Sequence, residues 1–146
     1  MSRVVTFGEI MARLAPPGFQ RLRQGLPGTL NVTFAGAEAN VAASLAFMGE
    51  QAMFVTALPE NDLAEACAAT LRSTGVDSHI VWKPNGRLGL YFLETGANQR
   101  PSRVIYDRDG STISQTRADA YDWDQIFEGA DWFHVTGITP AVSEAA

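Results

Sequence analysis

The sequence predicts an α/β protein in which helices cover both faces of a parallel sheet, with a small antiparallel sheet added. Two strand-then-helix units follow one another. Apolar runs at Val4–Phe7 and Met53–Leu58 are typical of buried strands. Apolar residues at helical spacing follow them, over Ala37–Met48 and over Asp62–Leu71. Strands that alternate with helices in this way indicate a parallel sheet.

The ends of both helices carry recognisable signals. Gly49 and Gly75 stand where left-handed residues would end the two helices. Asp62 and Glu65 have the spacing of a capping box, so we expect them to start the second helix.

A hairpin is predicted in the middle of the chain. Leu88, Leu90 and Phe92 alternate with other side chains, and the run Arg103–Tyr106 follows a turn that contains glycine. This period of two over paired runs indicates an antiparallel hairpin. One apolar face of it would be formed by the three alternating side chains.

A third parallel strand is expected near the end of the sequence, over Trp132–Thr136. A short helix capped by Asp122, with Gln125 at its third position, precedes that strand. The sequence then stops at Ser143–Ala146, where a further helix should begin, so the sheet is expected to be truncated. Neither repeats nor a linker divide the 146 residues, which predicts one globular unit.

Composition excludes several classes of protein. A net charge of −5 argues against a nucleic-acid partner and against an anionic membrane surface. No stretch approaches the roughly 20 apolar residues that span a membrane, and Met1–Phe7 contains no apolar run of the length expected for a signal peptide. Cys67 is the single cysteine and lies on the apolar stripe of a predicted helix. We therefore expect a cytoplasmic protein with one buried, unpaired thiol.

Three turns suggest where a ligand would bind. Gly8-Glu9 follows the first strand, Ala35-Gly36 opens the first long helix, and Thr136–Thr139 follows the third parallel strand. Ligands of parallel sheets bind beyond the carboxyl ends of the strands. Gly36 allows close approach to the backbone at a helix start that offers free N–H groups, and Asn40 lies one turn further on.

Other familiar chemistries are not indicated. The sequence has neither the phosphate loop of Walker-type nucleotide sites nor the G-x-G-x-x-G fingerprint of dinucleotide sites. His79 and His134 are isolated, and with one cysteine they give no metal-ligand spacing. His134 is expected to be a satisfied core residue. Neither a metal site nor a catalytic residue is therefore assigned.

Taken together, three segments resemble the PfkB (ribokinase-like) carbohydrate kinases, and especially the amino-terminal half of 2-keto-3-deoxygluconate kinases. The segments are Val4–Glu9, Gly36–Ala42 with Gly49, and Thr136–Ala141. The resemblance implies a ribokinase-like three-layer fold, with residues 1–146 as its amino-terminal part. It also implies a lid whose strands lie within about residues 10–35 and 86–110.

The resemblance further implies a set of substrate-binding residues. They are Glu9, Gly36, Asn40, Tyr91, Tyr106 and Arg108. A guanidinium pairs with a planar carboxylate through two hydrogen bonds, so Arg108 would select a sugar acid over a neutral sugar. The implied reaction is phosphoryl transfer from ATP, with Mg²⁺, to a sugar hydroxyl.

The half of the family fold that supplies the catalytic base, the anion hole and the ATP pocket is not in this sequence. The chain alone is therefore expected to be inactive and to bind no cofactor. Two alternatives stay open: a ribokinase or fructokinase-like specificity, and a non-catalytic sugar-binding or oligomerisation module. A homodimer is expected, formed through the lid or through the unfinished sheet.

Overall fold

The computed structural model describes residues 1–146 and contains two four-stranded sheets. The strands are β1 (Arg3–Phe7), β2 (Met11–Ala15), β3 (Asn31–Ala35), β4 (Gln51–Pro59), β5 (Asp77–Lys83), β6 (Leu90–Glu94), β7 (Arg103–Asp107) and β8 (Trp132–His134). The helices are α1 (Leu22–Gly25), α2 (Ala37–Phe47), α3 (Asp62–Ser73), α4 (Thr112–Gln115), α5 (Trp123–Phe127) and α6 (Ile138–Val142), with a 3-10 turn at Ala118–Ala120.

The first sheet is entirely parallel, with the spatial order β5-β4-β1-β8. Its strands β1 and β4 lie where the apolar runs predicted them. The third predicted strand is shorter than expected, because β8 ends at His134 rather than Thr136. Strand β5 was missed by the sequence analysis, although it pairs with β4 over seven residues. The predicted last helix begins earlier than expected, at Ile138.

Helices cover both faces of the first sheet, as predicted. On one face, α2 and α3 pack small side chains such as Ala42 and Cys67 against Phe54. On the other face, Ile113 of α4 and Ile126 of α5 pack against strands β1 and β4. Small residues let α2 lie close to the strands, and the apolar area buried on both faces is the main source of stability for this sheet.

The second sheet has the order β3-β2-β6-β7 and is mixed rather than antiparallel. The predicted hairpin is confirmed by antiparallel pairing of β6 with β7, but β2 pairs with β6 in parallel. The expectation that Leu88, Leu90 and Phe92 together form an apolar face for a partner is wrong in part. Leu88 is buried in the main core cluster and Leu90 packs against that cluster, so both side chains are used within the chain.

The helix ends follow the sequence signals with one exception. Gly49 and Gly75 have φ values of +89° and +80°, which confirms the left-handed positions after α2 and α3. Asp122 accepts a hydrogen bond from the Gln125 amide, as expected. The capping box that starts α3 is wrong: Asn61 is the N-cap, and its Oδ1 accepts from the Ala64 N–H at 3.0 Å.

Two further expectations concern single side chains. Cys67 is buried and unpaired, as predicted. His134 is half-buried, but its Nε2 is enclosed without a hydrogen-bond partner, so the expectation of a satisfied core histidine is wrong. None of the six helices is long and apolar enough to cross a bilayer.

Candidate functional site

A pocket of about 370 Å³ opens between the second sheet and the starts of α2 and α6. All six residues expected at the site line it: Glu9, Gly36, Asn40, Tyr91, Tyr106 and Arg108. The first turn of α6 joins them, since Ile138 and Thr139 also line the pocket. The three turns singled out in the sequence therefore meet at one place, beyond the carboxyl ends of β1 and β8.

Arg108 forms an ion pair with Glu9 at the base of the pocket. Its Nη2 donates to Glu9 Oε2. The Glu9 side chain is 5% exposed and that of Arg108 is 20% exposed. Glu9 Oε1 and Arg108 Nε are both buried without a hydrogen-bond partner. Glu9 is thus the counter-ion of Arg108, and the guanidinium has only part of its donor set in use.

Glycines bring the walls of this site together. A Cβ on Gly36 would lie 2.1 Å from the carbonyl oxygen of Glu9, so only glycine lets α2 start this close to the turn after β1. A Cβ on Gly89 would lie 2.6 Å from Glu9 Oε1, so this glycine leaves room for the buried carboxylate. Both positions require the absence of a side chain rather than an unusual φ.

Glu38, in the first turn of α2, holds the β8–α6 turn in place. It is 2% exposed, and its Oε1 accepts from the Thr136 amide at 3.0 Å, the Thr136 hydroxyl at 2.6 Å and the Thr139 hydroxyl at 2.9 Å. The helix N-terminus favours its negative charge. Gly8 provides the space, because a Cβ there would lie 2.3 Å from Glu38 Oε2.

Two tyrosines form the wall on the second sheet. Tyr91 of β6 and Tyr106 of β7 are paired residues, and their ring centroids are 6.0 Å apart. The guanidinium carbon of Arg108 lies 5.8 Å from the Tyr106 centroid, within the range of a cation–π contact. Burial raises the pKa of the Tyr91 hydroxyl, and the nearby Arg13 charge offsets part of this effect. Tyr91 therefore keeps its proton at neutral pH and can donate a hydrogen bond.

Arg87 fixes the loop that carries Arg108. Its Nη2 donates to Asp107 Oδ1 at 2.9 Å and to the Asp107 carbonyl at 2.8 Å, and its Nη1 donates to the Asp109 carbonyl at 3.3 Å. Asp107 therefore pairs with Arg87, and it does not line the pocket.

Sequence reasoning missed Glu38 and Arg87 as members of this arrangement. An acidic residue in the first turn of a helix is ordinary, and nothing local marks its bonds to a turn about 100 positions later. One signal was available, since the isolated Gly8 suggests a close approach at the end of β1. Arg87 gave no comparable signal.

The arrangement combines one cation, two carboxylates, two phenolic hydroxyls, one amide side chain and a helix start in a pocket whose other lining residues are mostly apolar. It suits a small polyhydroxy compound that carries a carboxylate or another planar oxygen pair. No group of three or more His, Cys, Asp or Glu side chains in residues 1–146 is placed to hold a metal ion.

Comparison with known proteins decides the family. The model of the pfkB family carbohydrate kinases matches residues 1–146. The chain belongs to this family. The resemblance of its three segments to PfkB kinases is thus confirmed, together with the ribokinase-like fold.

Relatives of this PfkB chain include kinases of 2-keto-3-deoxy sugar acids. It is 38% identical to the 2-dehydro-3-deoxygalactonokinase of Haloferax volcanii over 98% of its own length, and 31% identical to the 2-dehydro-3-deoxygluconokinase of Bacillus subtilis over 95%. The crystal structure of the 2-dehydro-3-deoxygluconokinase from Thermotoga maritima superimposes with a TM-score of 0.91 at 52% identity, covering 98% of this chain. The chain spans 42–44% of the length of these three proteins.

Proposed function

We propose that this PfkB chain is the acceptor-binding part of an ATP-dependent sugar-acid kinase of the 2-keto-3-deoxygluconate type. In the complete reaction, a hydroxyl of the sugar acid would receive the γ-phosphoryl group of ATP. The names of the relatives support the reaction class and the two candidate acids, the gluconate and galactonate forms.

The single observation that carries the proposal is the position of Arg108 in the pocket. It is the only arginine or lysine among the lining residues, and the phenolic rings of Tyr91 and Tyr106 lie on the same wall. A carboxylate at Arg108 would gain charge-assisted hydrogen bonds, and the tyrosine hydroxyls would bond the adjacent oxygens. Gly36 and Asn40 would then bind the far end of the sugar near the start of α2. We propose that Glu9 contributes to substrate binding by positioning Arg108.

The second sheet would act as a lid over the bound sugar. Its strands β2, β3, β6 and β7 supply one wall of the pocket, while Glu9 after β1 and the starts of α2 and α6 supply the other. Closing this wall would exclude water from the acceptor hydroxyl, which phosphoryl transfer requires because water is itself an acceptor.

ATP and Mg²⁺ are the proposed donor and cofactor, as the kinase family implies. The residues of this chain do not fit a metal–nucleotide site, because they hold no suitable acidic cluster. The two carboxylates beside the pocket are both engaged, Glu9 with Arg108 and Glu38 with two threonines. We therefore propose that residues 1–146 alone have no kinase activity, since the pocket is lined by no further carboxylate and no histidine that could act as the base for the acceptor hydroxyl.

A panel of ligands tests the substrate class. Isothermal titration calorimetry with 2-keto-3-deoxygluconate, 2-keto-3-deoxygalactonate, fructose and ribose should show binding of the two acids in preference to the neutral sugars. A preference for fructose or ribose would favour the second candidate, a neutral-sugar kinase. The specific argument for that candidate is that Arg108 already has a carboxylate partner within the chain, Glu9. Binding of an acid with no ADP release in a coupled assay, by this chain and by a full-length homologue alike, would favour a non-catalytic sugar-binding module.

Self-association and location are also proposed. Val32, Ile105 and Tyr106 leave the second sheet with exposed apolar area, which favours a homodimer through this sheet. Trp132 and Phe133 on β8 offer the alternative contact, through the first sheet. Light scattering of Ile105→Asp and Trp132→Asp variants distinguishes the two, because only the variant at the interface should become monomeric. We also propose a cytoplasmic location, which the lone buried cysteine supports because it cannot form an internal disulfide.

A further inference from the structure

The two carboxylates beside the pocket differ in how well their charge is stabilised. Glu38 Oε1 accepts three hydrogen bonds and lies in the first turn of α2. Glu9 has a single donor, Arg108, and its Oε1 is buried with no partner at all. A buried carboxylate with few donors depends on its counter-ion for stability as an anion.

The pocket offers a ligand no cation other than Arg108, which already pairs with Glu9. Its titratable or charged lining residues are Glu9, Glu38, Tyr91, Tyr106 and Arg108, which give one positive and two negative charges with neutral tyrosines. On the neighbouring elements, Arg13 acts on Tyr91, Arg87 and Asp107 pair with each other, and Asp109 follows Arg108. A sugar acid would add a third negative charge beside the one arginine that Glu9 already occupies.

We propose that a sugar-acid carboxylate binds at Arg108 together with one proton, which is taken up by Glu9. This rests on the proposed function. Two carboxylates that share one guanidinium, one of them the buried Glu9, disfavour double ionisation. Glu9 has Arg108 as its single donor, so Glu9 is the carboxylate that protonates. Only an O–H bond forms: the proton comes from solvent, and Glu9 becomes a neutral acid beside the ligand. Glu9 is then a specificity-determining residue, because a neutral sugar needs no such proton.

The sign of the pH effect follows from this uptake. Because the complex holds one proton more than the free components, the affinity for a sugar acid falls as pH rises, by up to about tenfold per pH unit. A neutral sugar shows no such slope. Glu9→Gln imitates the protonated state, so its affinity for the acid is expected to be independent of pH and, at pH 8.5, higher than that of the unaltered chain.

Calorimetry of the 146-residue chain with 2-keto-3-deoxygluconate and with fructose tests the proposal. Titrations at one pH in phosphate and in Tris, which differ in ionisation enthalpy, count the protons taken up. The expected result is uptake with the acid, none with fructose, and none in Glu9→Gln. Glu38→Gln is the matched control within the site and should keep the uptake. Circular dichroism checks that each variant is folded.

The outcomes separate this inference from the proposed function. Binding of the acid by the unaltered chain without proton uptake would overturn the role of Glu9 and leave the proposed function standing. Uptake that persists in folded Glu9→Gln would overturn it as well. Failure of the unaltered chain to bind either 2-keto-3-deoxy acid would count against the proposed function itself, and the inference would fall with it.

Discussion

The two sheets of this molecule are stabilised in different ways. In the first sheet, helices cover both faces, and β4 is buried along most of its length. In the second sheet, every residue of β7 is exposed and β3 is exposed over three of its five residues. Strand pairing and contacts of Ile10, Ala12 and Leu88 with the main core hold this sheet in place.

The difference separates stability from recognition. The first sheet supplies a rigid base, whereas the pocket wall with Tyr91, Tyr106 and Arg108 comes from the second sheet and the loop after it. Residues of a thinly covered sheet can contact a ligand because they are not already packed. Substitutions in the first sheet should therefore change the free energy of unfolding, and those in the second sheet should change binding.

The largest expected effect tests this directly with one substitution in each sheet. Val55→Ala in β4 removes a fully buried side chain and should lower the free energy of unfolding by about 2–3 kcal/mol. Val104→Ala in β7, where the side chain is 42% exposed, should lower it by less than about 1 kcal/mol. Urea unfolding followed by circular dichroism measures both, and equal losses would contradict the division between the sheets.

Two glycines at helix starts sharpen the comparison at the pocket. Gly36→Ala should cost about 1–2 kcal/mol and weaken sugar-acid binding at least tenfold, because the new Cβ collides with the Glu9 carbonyl. Gly137→Ala, at the start of α6, is the control, since nothing lies within 4 Å of its Cβ position. Thermal unfolding and calorimetry should show normal behaviour for the control. Unchanged binding in folded Gly36→Ala would show that the close approach is not needed.

A smaller effect is expected at the start of α3. Asn61→Ala removes the side chain that caps the helix and should cost about 1 kcal/mol. Asp62→Ala removes only a favourable charge in the first turn and should cost about half as much. Chemical unfolding measures the loss in free energy of unfolding for each variant. A larger loss for Asp62→Ala than for Asn61→Ala would support the capping box that the sequence predicted.

The smallest effect concerns Cys67 in the core of the first sheet. Burial raises the pKa of its thiol to about 12, so the folded chain should not react with a thiol reagent at pH 8. The unfolded chain loses this proton from about pH 9, so the free energy of unfolding falls as pH rises between about 9 and 12. Cys67→Ala should remove part of that fall, and the buried Tyr121 accounts for another part.

Rapid labelling of native Cys67 by Ellman's reagent would contradict its burial. Labelling in 8 M urea is the control and should reach one thiol per chain.

The sequence predicts local features better than those that depend on distant contacts. Strands β1 and β4 carry continuous apolar runs, and Gly49 and Gly75 mark the ends of α2 and α3. The sequence therefore predicts these two strands and two helices. Strand β5 was missed because its apolar run is only three residues long, Ile80–Trp82, and its pairing with β4 decides its conformation. The parallel pairing of β2 with β6 is likewise set by residues some 80 positions apart.

The pocket residues were brought together through the resemblance, since Arg108 and Glu9 are 99 positions apart in sequence. Their mutual ion pair was not foreseen. No periodicity or motif reports which carboxylate a given arginine contacts, and the Glu38 bonds to Thr136 and Thr139 were hidden for the same reason.

The central claim is that Arg108 binds the carboxylate of a sugar acid, and calorimetry of Arg108→Ala with 2-keto-3-deoxygluconate tests it most directly. The affinity is expected to fall by about tenfold to a hundredfold, from the loss of charged hydrogen bonds, with fructose binding unchanged. Arg103→Ala is the matched control, since Arg103 lies on the same strand-and-loop segment but outside the pocket, and it should bind as the unaltered chain does. Folded Arg108→Ala that binds the acid as tightly as the unaltered chain would show that Arg108 does not bind the carboxylate.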